Sequence, residues 1–268
     1  MRAALASTAL ALIIAVSCAG DPSDESVLRV VDGDTFEVET EGGPERVRLI
    51  GIDTPETGEC LADAAEDLLA ELLDAGPLEL RSDRSDRDRY GRLLRYAYSD
   101  GRFVNEALVR EGLAIARSYP PDTAEDDRLA RAAVAAREER LGMWAPDACG
   151  SALEVDVTIT EMRADPPGGD LTDLNEEWVE IRNAGDETLQ LDGWVLKDES
   201  ASHRFHFPES FAVRPGQTVR IHSGCGLDDD SSLFWCNRGS AIWNNDGDTA
   251  FLLDPNGNIV AFLQWAPQ

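Results

Sequence analysis

Val47-Arg48-Leu49-Ile50-Gly51-Ile52-Asp53-Thr54-Pro55-Glu56-Thr57 is the stretch on which the fold turns. Its first part reads as a strand, Glu45–Ile52. Pro55 disfavours helix at Thr54, and Asp and Thr bond readily to nearby backbone groups, so a turn follows. Upstream, Val27–Val31 and Thr35–Thr40 read as two more strands, with Asp32-Gly33 and Gly42-Gly43 as hairpin signals between the three. Downstream, apolar residues at 61, 64, 65, 68, 69, 72 and 73 have helical spacing, and Gly76-Pro77 ends that helix. Leu78–Arg81 and Leu93–Tyr98 read as strands, and Val104–Arg110 and Asp126–Arg140 as helices. Five strands with interleaved helices suit an α+β OB-fold barrel carrying helices.

Three strings in this half hold residues able to do chemistry. They are Val31-Asp32-Gly33-Asp34-Thr35-Phe36, the stretch above, and Asp88-Arg89-Tyr90-Gly91-Arg92. Each alone reads as a turn. Asp-Gly-Asp-Thr in fact occurs twice, at 32–35 and 246–249, and only the first copy has the other two strings downstream. Together they supply carboxylates at Asp34, Asp53 and Glu56 and guanidiniums at Arg48 and Arg92. Carboxylates of this kind hold a hard cation and activate water, and arginines clamp a phosphate.

The three strings, in this order, resemble the staphylococcal nuclease (thermonuclease) family. The likeness runs from about Val27 to Trp144 and includes Val104-Asn105-Glu106-Ala107-Leu108-Val109-Arg110-Glu111-Gly112-Leu113-Ala114. It implies an OB-type barrel and hydrolysis of DNA and RNA with little sequence specificity, leaving 3′-phosphate ends. It implies Ca²⁺ as cofactor, held by Asp34, Asp53 and the Thr54 carbonyl. Glu56 is then the general base, Arg48 and Arg92 stabilise the phosphate, and Arg89, Tyr90 and Tyr119 contact substrate. Two features depart from the family. The segment Gly58–Ala64 is short and acidic where a longer, lysine-rich loop is common, and Tyr119 stands alone where the family has a tyrosine pair.

From Ala152 the texture changes. Val155–Met162, Trp178–Arg182, Gly193–Leu196, Val219–His222, Thr249–Leu253 and Ile259–Leu263 read as strands of an antiparallel β-sandwich. Glu177-Trp178-Val179-Glu180-Ile181-Arg182-Asn183, Leu191-Asp192-Gly193-Trp194-Val195-Leu196 and Asn244-Asn245-Asp246-Gly247-Asp248-Thr249 resemble the lamin tail domain, which implies an immunoglobulin-like fold. The second Asp-Gly-Asp-Thr falls inside that likeness and reads as architectural. His203 and His206 should lie on opposite faces of a strand and share no metal. Asp228-Asp229-Asp230 reads as a solvated loop tip.

The expected organisation is a signal segment over 1–18, a polar tether over 19–26, a nuclease-like domain over 27–149 and a sandwich over 150–268. Arg2 followed by the apolar run Ala3–Val16 fits an export signal too short to span a membrane. Ala15-Val16-Ser17-Cys18 resembles a lipobox, which would lipidate Cys18 and anchor the chain to the cell envelope; cleavage after Ala19 would release it as a secreted protein. Export permits disulfides. Cys60, Cys149, Cys225 and Cys236 allow three pairings, and the domain division favours Cys60–Cys149 with Cys225–Cys236. No CxxC pair suggests zinc.

The 43% hydrophobic content excludes wholesale disorder. The net charge is −28, with −12 over 27–149 and −14 over 150–268, so neither half is a basic nucleic-acid-binding module. Six arginines between 81 and 95 form the best candidate for a local positive patch, although neighbouring aspartates could neutralise it. There is one lysine, Lys197, against 23 arginines. The expected partners are DNA and RNA substrate and, through the anchor, a membrane; the chain is expected to be a monomer, and no partner of the second domain can be read. The rival reading is a non-catalytic cell-surface module for nucleic-acid or protein binding and adhesion.

Overall fold

A computed structural model describes residues 26–166, 174–200, 202–237 and 240–266. The expected signal segment, Cys18 and most of the tether lie outside these residues. Ser26, the last residue of the expected tether, already pairs with Glu39 in the first hairpin.

The first domain comprises strands β1 (Ser26–Asp32), β2 (Thr35–Thr40), β3 (Gly43–Leu49) and β4 (Ile52–Asp53), helix α1 (Ala62–Asp74), and strands β5 (Leu78–Arg81), β6 (Leu93–Ser99) and β7 (Arg102–Phe103). Helix α2 (Val104–Arg110), strand β8 (Ile115–Ala116), helix α3 (Asp126–Glu139) and a 3-10 turn at Gly142–Trp144 complete it. The main sheet runs β1-β2-β3-β6-β5, with β7 beside β6 and only β3 and β6 parallel. It curls into a half-barrel around Phe36, Val38, Val47, Leu49, Tyr96 and Ala97. Leu69, Leu72 and Leu73 from α1 and Leu108 from α2 close the core. This is the staphylococcal-nuclease-like OB architecture expected of the sequence.

One expected strand is divided. Glu45–Ile52 does not run straight through. The ladder of β3 ends at Leu49, and Gly51 takes a left-handed φ of 78°. The chain then leaves the main sheet and pairs Ile52 and Asp53 with Ala116 and Ile115. Leu129 packs so closely that a Cβ on Gly51 would lie 2.5 Å from its Cδ1. This break brings Asp53 back toward Arg48.

The second domain has β9 (Val157–Arg163), β10 (Trp178–Asn183), β11 (Leu189–Gln190), β12 (Val195–Lys197), β13 (Arg204–His206), β14 (Ala212–Val213), β15 (Thr218–His222), β16 (Ser232–Phe234), β17 (Asp248–Leu253) and β18 (Ile259–Trp265). Two four-stranded sheets, β16-β15-β10-β9 and β13-β12-β17-β18, enclose a separate core that includes Trp194, Trp243, Ile181 and Leu196. The β-rich architecture agrees with an immunoglobulin-like sandwich. It is not wholly antiparallel, because β16 runs parallel to β15. The acidic loop carries the chain back before it re-enters the sheet, and a disulfide joins Cys225 to Cys236 across it. Asp228 and Asp229 act inside that loop: Asp229 accepts the N–H groups of Ser231 and Ser232, and Asp228 that of Phe234.

Candidate active site

Asp34 and Asp53 converge on Arg48. Thr35 pairs with Arg48 across β2 and β3, so Asp34 sits one residue before that register point. Leu49 N–H donates to the Asp34 carbonyl at 2.9 Å, closing the turn. The Arg48 guanidinium pairs with Asp34 and donates to Asp53 at 2.7 Å and to the Ile52 carbonyl at 3.2 Å. Thr54 fixes the other side of Asp34, its N–H and hydroxyl each donating to Oδ2 at 3.1 Å. Both carboxylates are buried. Gly33 makes the approach possible, since a Cβ there would lie 2.7 Å from the Ala65 Cβ and 2.8 Å from the Thr54 hydroxyl.

Two buried carboxylates beside a backbone carbonyl form an all-oxygen donor set, the kind a hard divalent cation takes. Among the described residues no three His, Cys, Asp or Glu side chains converge as a cage. A cation here would complete its shell with water and substrate oxygens.

Glu56 lies beyond Pro55 on the exposed turn. Burial first, then the charges of Asp53, Asp32 and Glu59, raise its pKa, while Arg48 opposes the shift. Its backbone N–H donates to Glu59 at 3.0 Å, which holds the turn.

The third string forms a tight loop. Asp88 accepts the N–H groups of Tyr90 and Arg92 and the Arg92 Nε, all within 2.9 Å. Arg89 and Arg92 lie over the Tyr90 ring, whose centroid is 4.7 Å and 5.6 Å from their guanidinium carbons. Asp122 pins the base of the loop by accepting the N–H groups of Arg84 and Ser85. A cavity of about 350 Å³ results, and Arg48, Arg89, Tyr90, Arg92 and Tyr119 all line it. The rest of the arginine-rich stretch is largely neutralised: Arg81 pairs with Glu79, Arg87 with Glu45, and Arg95 with Asp86.

Comparison with known proteins places both halves of the chain in families. A model of the staphylococcal nuclease homologue family matches residues 46–146, and one of the lamin tail domain matches 151–267. The thermonuclease of Staphylococcus intermedius is 37% identical over 124 residues, covering 44% of this chain and 74% of that protein. The chain belongs to the staphylococcal nuclease family. The SPbeta prophage-derived endonuclease YokF of Bacillus subtilis is 42% identical over 129 residues (45% of this chain, 44% of YokF). The endonuclease YncB of the same organism is 40% identical over 124 residues (43% of this chain, 59% of YncB). The chain thus spans about half the length of these two curated relatives.

The nuclease domain also uses residues that reading the sequence missed. Asn105, fully buried, donates to the Ile50 carbonyl at 2.8 Å and accepts the Ala97 N–H at 3.0 Å, holding the break after β3. The family-like stretch around it was the available signal. Arg117 lies over the Tyr119 ring, 5.0 Å from its centroid. Burial opposes the Arg117 charge, but Tyr119, Asp53, Asp198 and Glu199 outweigh it and raise the pKa. Two of those acids belong to the sandwich, which packs directly on the nuclease domain.

That seam is built from several contacts. A disulfide joins Cys60, just past Glu56, to Cys149 at the domain junction. The Cys149 N–H donates to the Asn258 side chain at 2.8 Å. Trp144 packs against Phe251 and Phe262 at centroid distances of 6.1 Å and 5.4 Å. Aromatic pairs of this kind add about 0.5–1.5 kcal/mol beyond simple burial. Arg204 pairs with Glu59 across the seam. His203 bonds to Asp198, whereas His206 is exposed, so the two histidines share no partner.

Proposed function

We propose that the chain is an exported, Ca²⁺-dependent nuclease that hydrolyses phosphodiester bonds of DNA and RNA with low sequence specificity. The observation that carries this is the Asp34–Arg48–Asp53 cluster opening onto a cavity lined by Arg92, Tyr90 and Tyr119. Asp34, Asp53 and the Thr54 carbonyl would hold the cation. When bound, it would polarise a phosphate oxygen and offset the charge of the two carboxylates, a charge that Arg48 only half balances in this structure. An extracellular module of this type binds Ca²⁺ with a dissociation constant of about 10⁻⁴–10⁻³ M, which is adequate outside a cell.

Arg48 and Arg92 donate to the phosphate oxygens as negative charge develops on them. Glu56 takes the proton of the attacking water, and its raised pKa brings it closer to neutrality than an ordinary carboxylate. Tyr90 and Tyr119 offer ring faces for bases, a contact blind to sequence. Cleavage of the 5′ P–O bond with a 3′-phosphate product is the outcome the family resemblance implies. Lipid anchoring at Cys18 or free secretion both fit an export signal, and monomeric action is expected.

The test is digestion of single-stranded DNA by the purified full chain. Cleavage in millimolar Ca²⁺, abolished by chelator and by Arg92→Ala, is expected. Intact DNA across a range of pH and salt, with binding retained, would replace the hydrolase by a non-catalytic nucleic-acid-binding module.

A further inference from the structure

Cationic side chains from both domains border Asp53. Lys197 and Arg204 are cross-strand partners on β12 and β13, and Lys197 also faces Phe251 on β17. Strand pleating therefore puts these three on one face of the sheet. The opposite face, with Leu196, Phe205, Ala250 and Leu252, fills the sandwich core. The outward face meets the nuclease domain, and between them lies a second cavity of about 350 Å³. Asp53, Thr54 and Glu59 line one wall and Lys197, Arg204 and His206 the other. Ligand sites begin at about 300 Å³, so the space suits one nucleotide unit. Asp53 is bonded to Arg48, which lines the first cavity. The two cavities therefore flank the same carboxylate–guanidinium cluster.

We infer that the sandwich completes the substrate cleft. The interdomain cavity is a subsite for the nucleotide strand beyond the scissile phosphate, with Lys197 as its phosphate-binding cation and Arg204 as a positioning residue. Lys197 is the chain's single lysine, in a protein of net charge −28, and it stands in the cavity that contains Asp53. Lys197 is half-buried there. Arg204 acts through Glu59, whose other carboxylate oxygen holds the Glu56 N–H. The disulfide and the Trp144 contacts keep the wall in place without relying on that ion pair.

The inference rests on the nuclease function proposed above, and binding separates the two. Affinity of the full chain for a fluorescein-labelled oligothymidylate of about ten nucleotides is measured by anisotropy in chelator, and KM and kcat are measured in Ca²⁺. Lys197→Gln should weaken binding and raise KM about tenfold, as for loss of one charged hydrogen bond, with kcat within about twofold. The slope of log affinity against log salt should fall by about 0.7, the value for one phosphate contact on a single strand. Lys197→Arg should restore most of both. Arg204→Ala should lower kcat about tenfold at nearly constant KM, with Arg204→Lys recovering part. Unchanged KM, affinity and salt slope in Lys197→Gln overturn the subsite. Tighter binding or faster turnover overturns it too, because the sandwich would then be a cover over the site. A chain that binds through Lys197 yet cleaves nothing keeps the subsite and loses the hydrolase.

Discussion

Asp34 and Asp248 hold the same place in two copies of Asp-Gly-Asp-Thr, and both are buried, at 6% and 2% exposure. Asp34 pairs with Arg48, which also bonds Asp53 and lines a cavity. Asp248 accepts the N–H groups of Asn244 and Thr249 at 3.0 Å and 2.8 Å. Burial pushes its pKa up to about 6; the backbone donors only partly offset that, and the charge of Asp198 adds to it. One string therefore gives an ion pair where a guanidinium faces it and a backbone cap where none does. The chemistry lies in what the fold brings opposite the aspartate.

The largest effect should separate the two copies. Asp34→Ala should lower the rate of DNA cleavage by about 10³, the scale of losing one preorganised charged contact, when assayed well below the variant's own melting temperature. Loss of activity that follows unfolding would make Asp34 structural, like Asp248. Next in size is Gly33→Ala. A Cβ there must displace Thr54 or α1, and a shift of about 1 Å in a reacting group costs about 10² in rate. Wild-type activity in that variant would show that the close approach of Thr54 to Asp34 does not matter.

Asp248→Ala should do the reverse. It leaves buried N–H groups at Asn244 and Thr249 without acceptors, which costs about 1–3 kcal/mol of stability. Cleavage well below the melting temperature should stay within about twofold of wild type. A selective loss of cleavage at unchanged stability would bring the second copy into the reaction.

The smallest effect is on pH dependence. Burial raises the Glu199 pKa to about 7 and that of Asp248 to about 6. Both carboxyls hold protons in the folded chain that the unfolded chain has already released. Their stabilisation is complete below about pH 4, near the unfolded pKa values, and is lost as pH rises to about 7. His203 adds the same sign, because Asp198 raises its pKa. Thermal melting should therefore be several degrees higher at pH 5 than at pH 8, and Glu199→Gln should flatten the difference. A melting temperature that climbs from pH 5 to 8 would contradict this.

Much of the nuclease half was legible because its signals are local. Alternation and turn residues marked the hairpins, helical spacing marked α1, and three strings in order marked Asp34, Arg48, Asp53, Glu56 and Arg92. The division of the strand at Gly51 was not legible, since it depends on Leu129 and β8, both distant in sequence. Nor was the bridging of Asp34 and Asp53 by Arg48, a matter of tertiary distance. Lys197 and Arg204 were hidden for the same reason: alternation in a short strand puts them on one face but cannot say what that face meets. The turn bonds of Asp228 and Asp229 were obscured by composition, because three successive aspartates look solvated until their backbone partners are seen.

The most direct test of the difference between the two copies is the rate of single-stranded DNA cleavage against free Ca²⁺, for the full chain and its Asp34→Asn and Asp248→Asn variants. The wild type and Asp248→Asn should show the same saturable Ca²⁺ dependence, falling to zero in chelator, and Asp34→Asn should show none. Ca²⁺-dependent cleavage surviving in Asp34→Asn, or lost in a folded Asp248→Asn, would contradict the assignment of the site to the first copy.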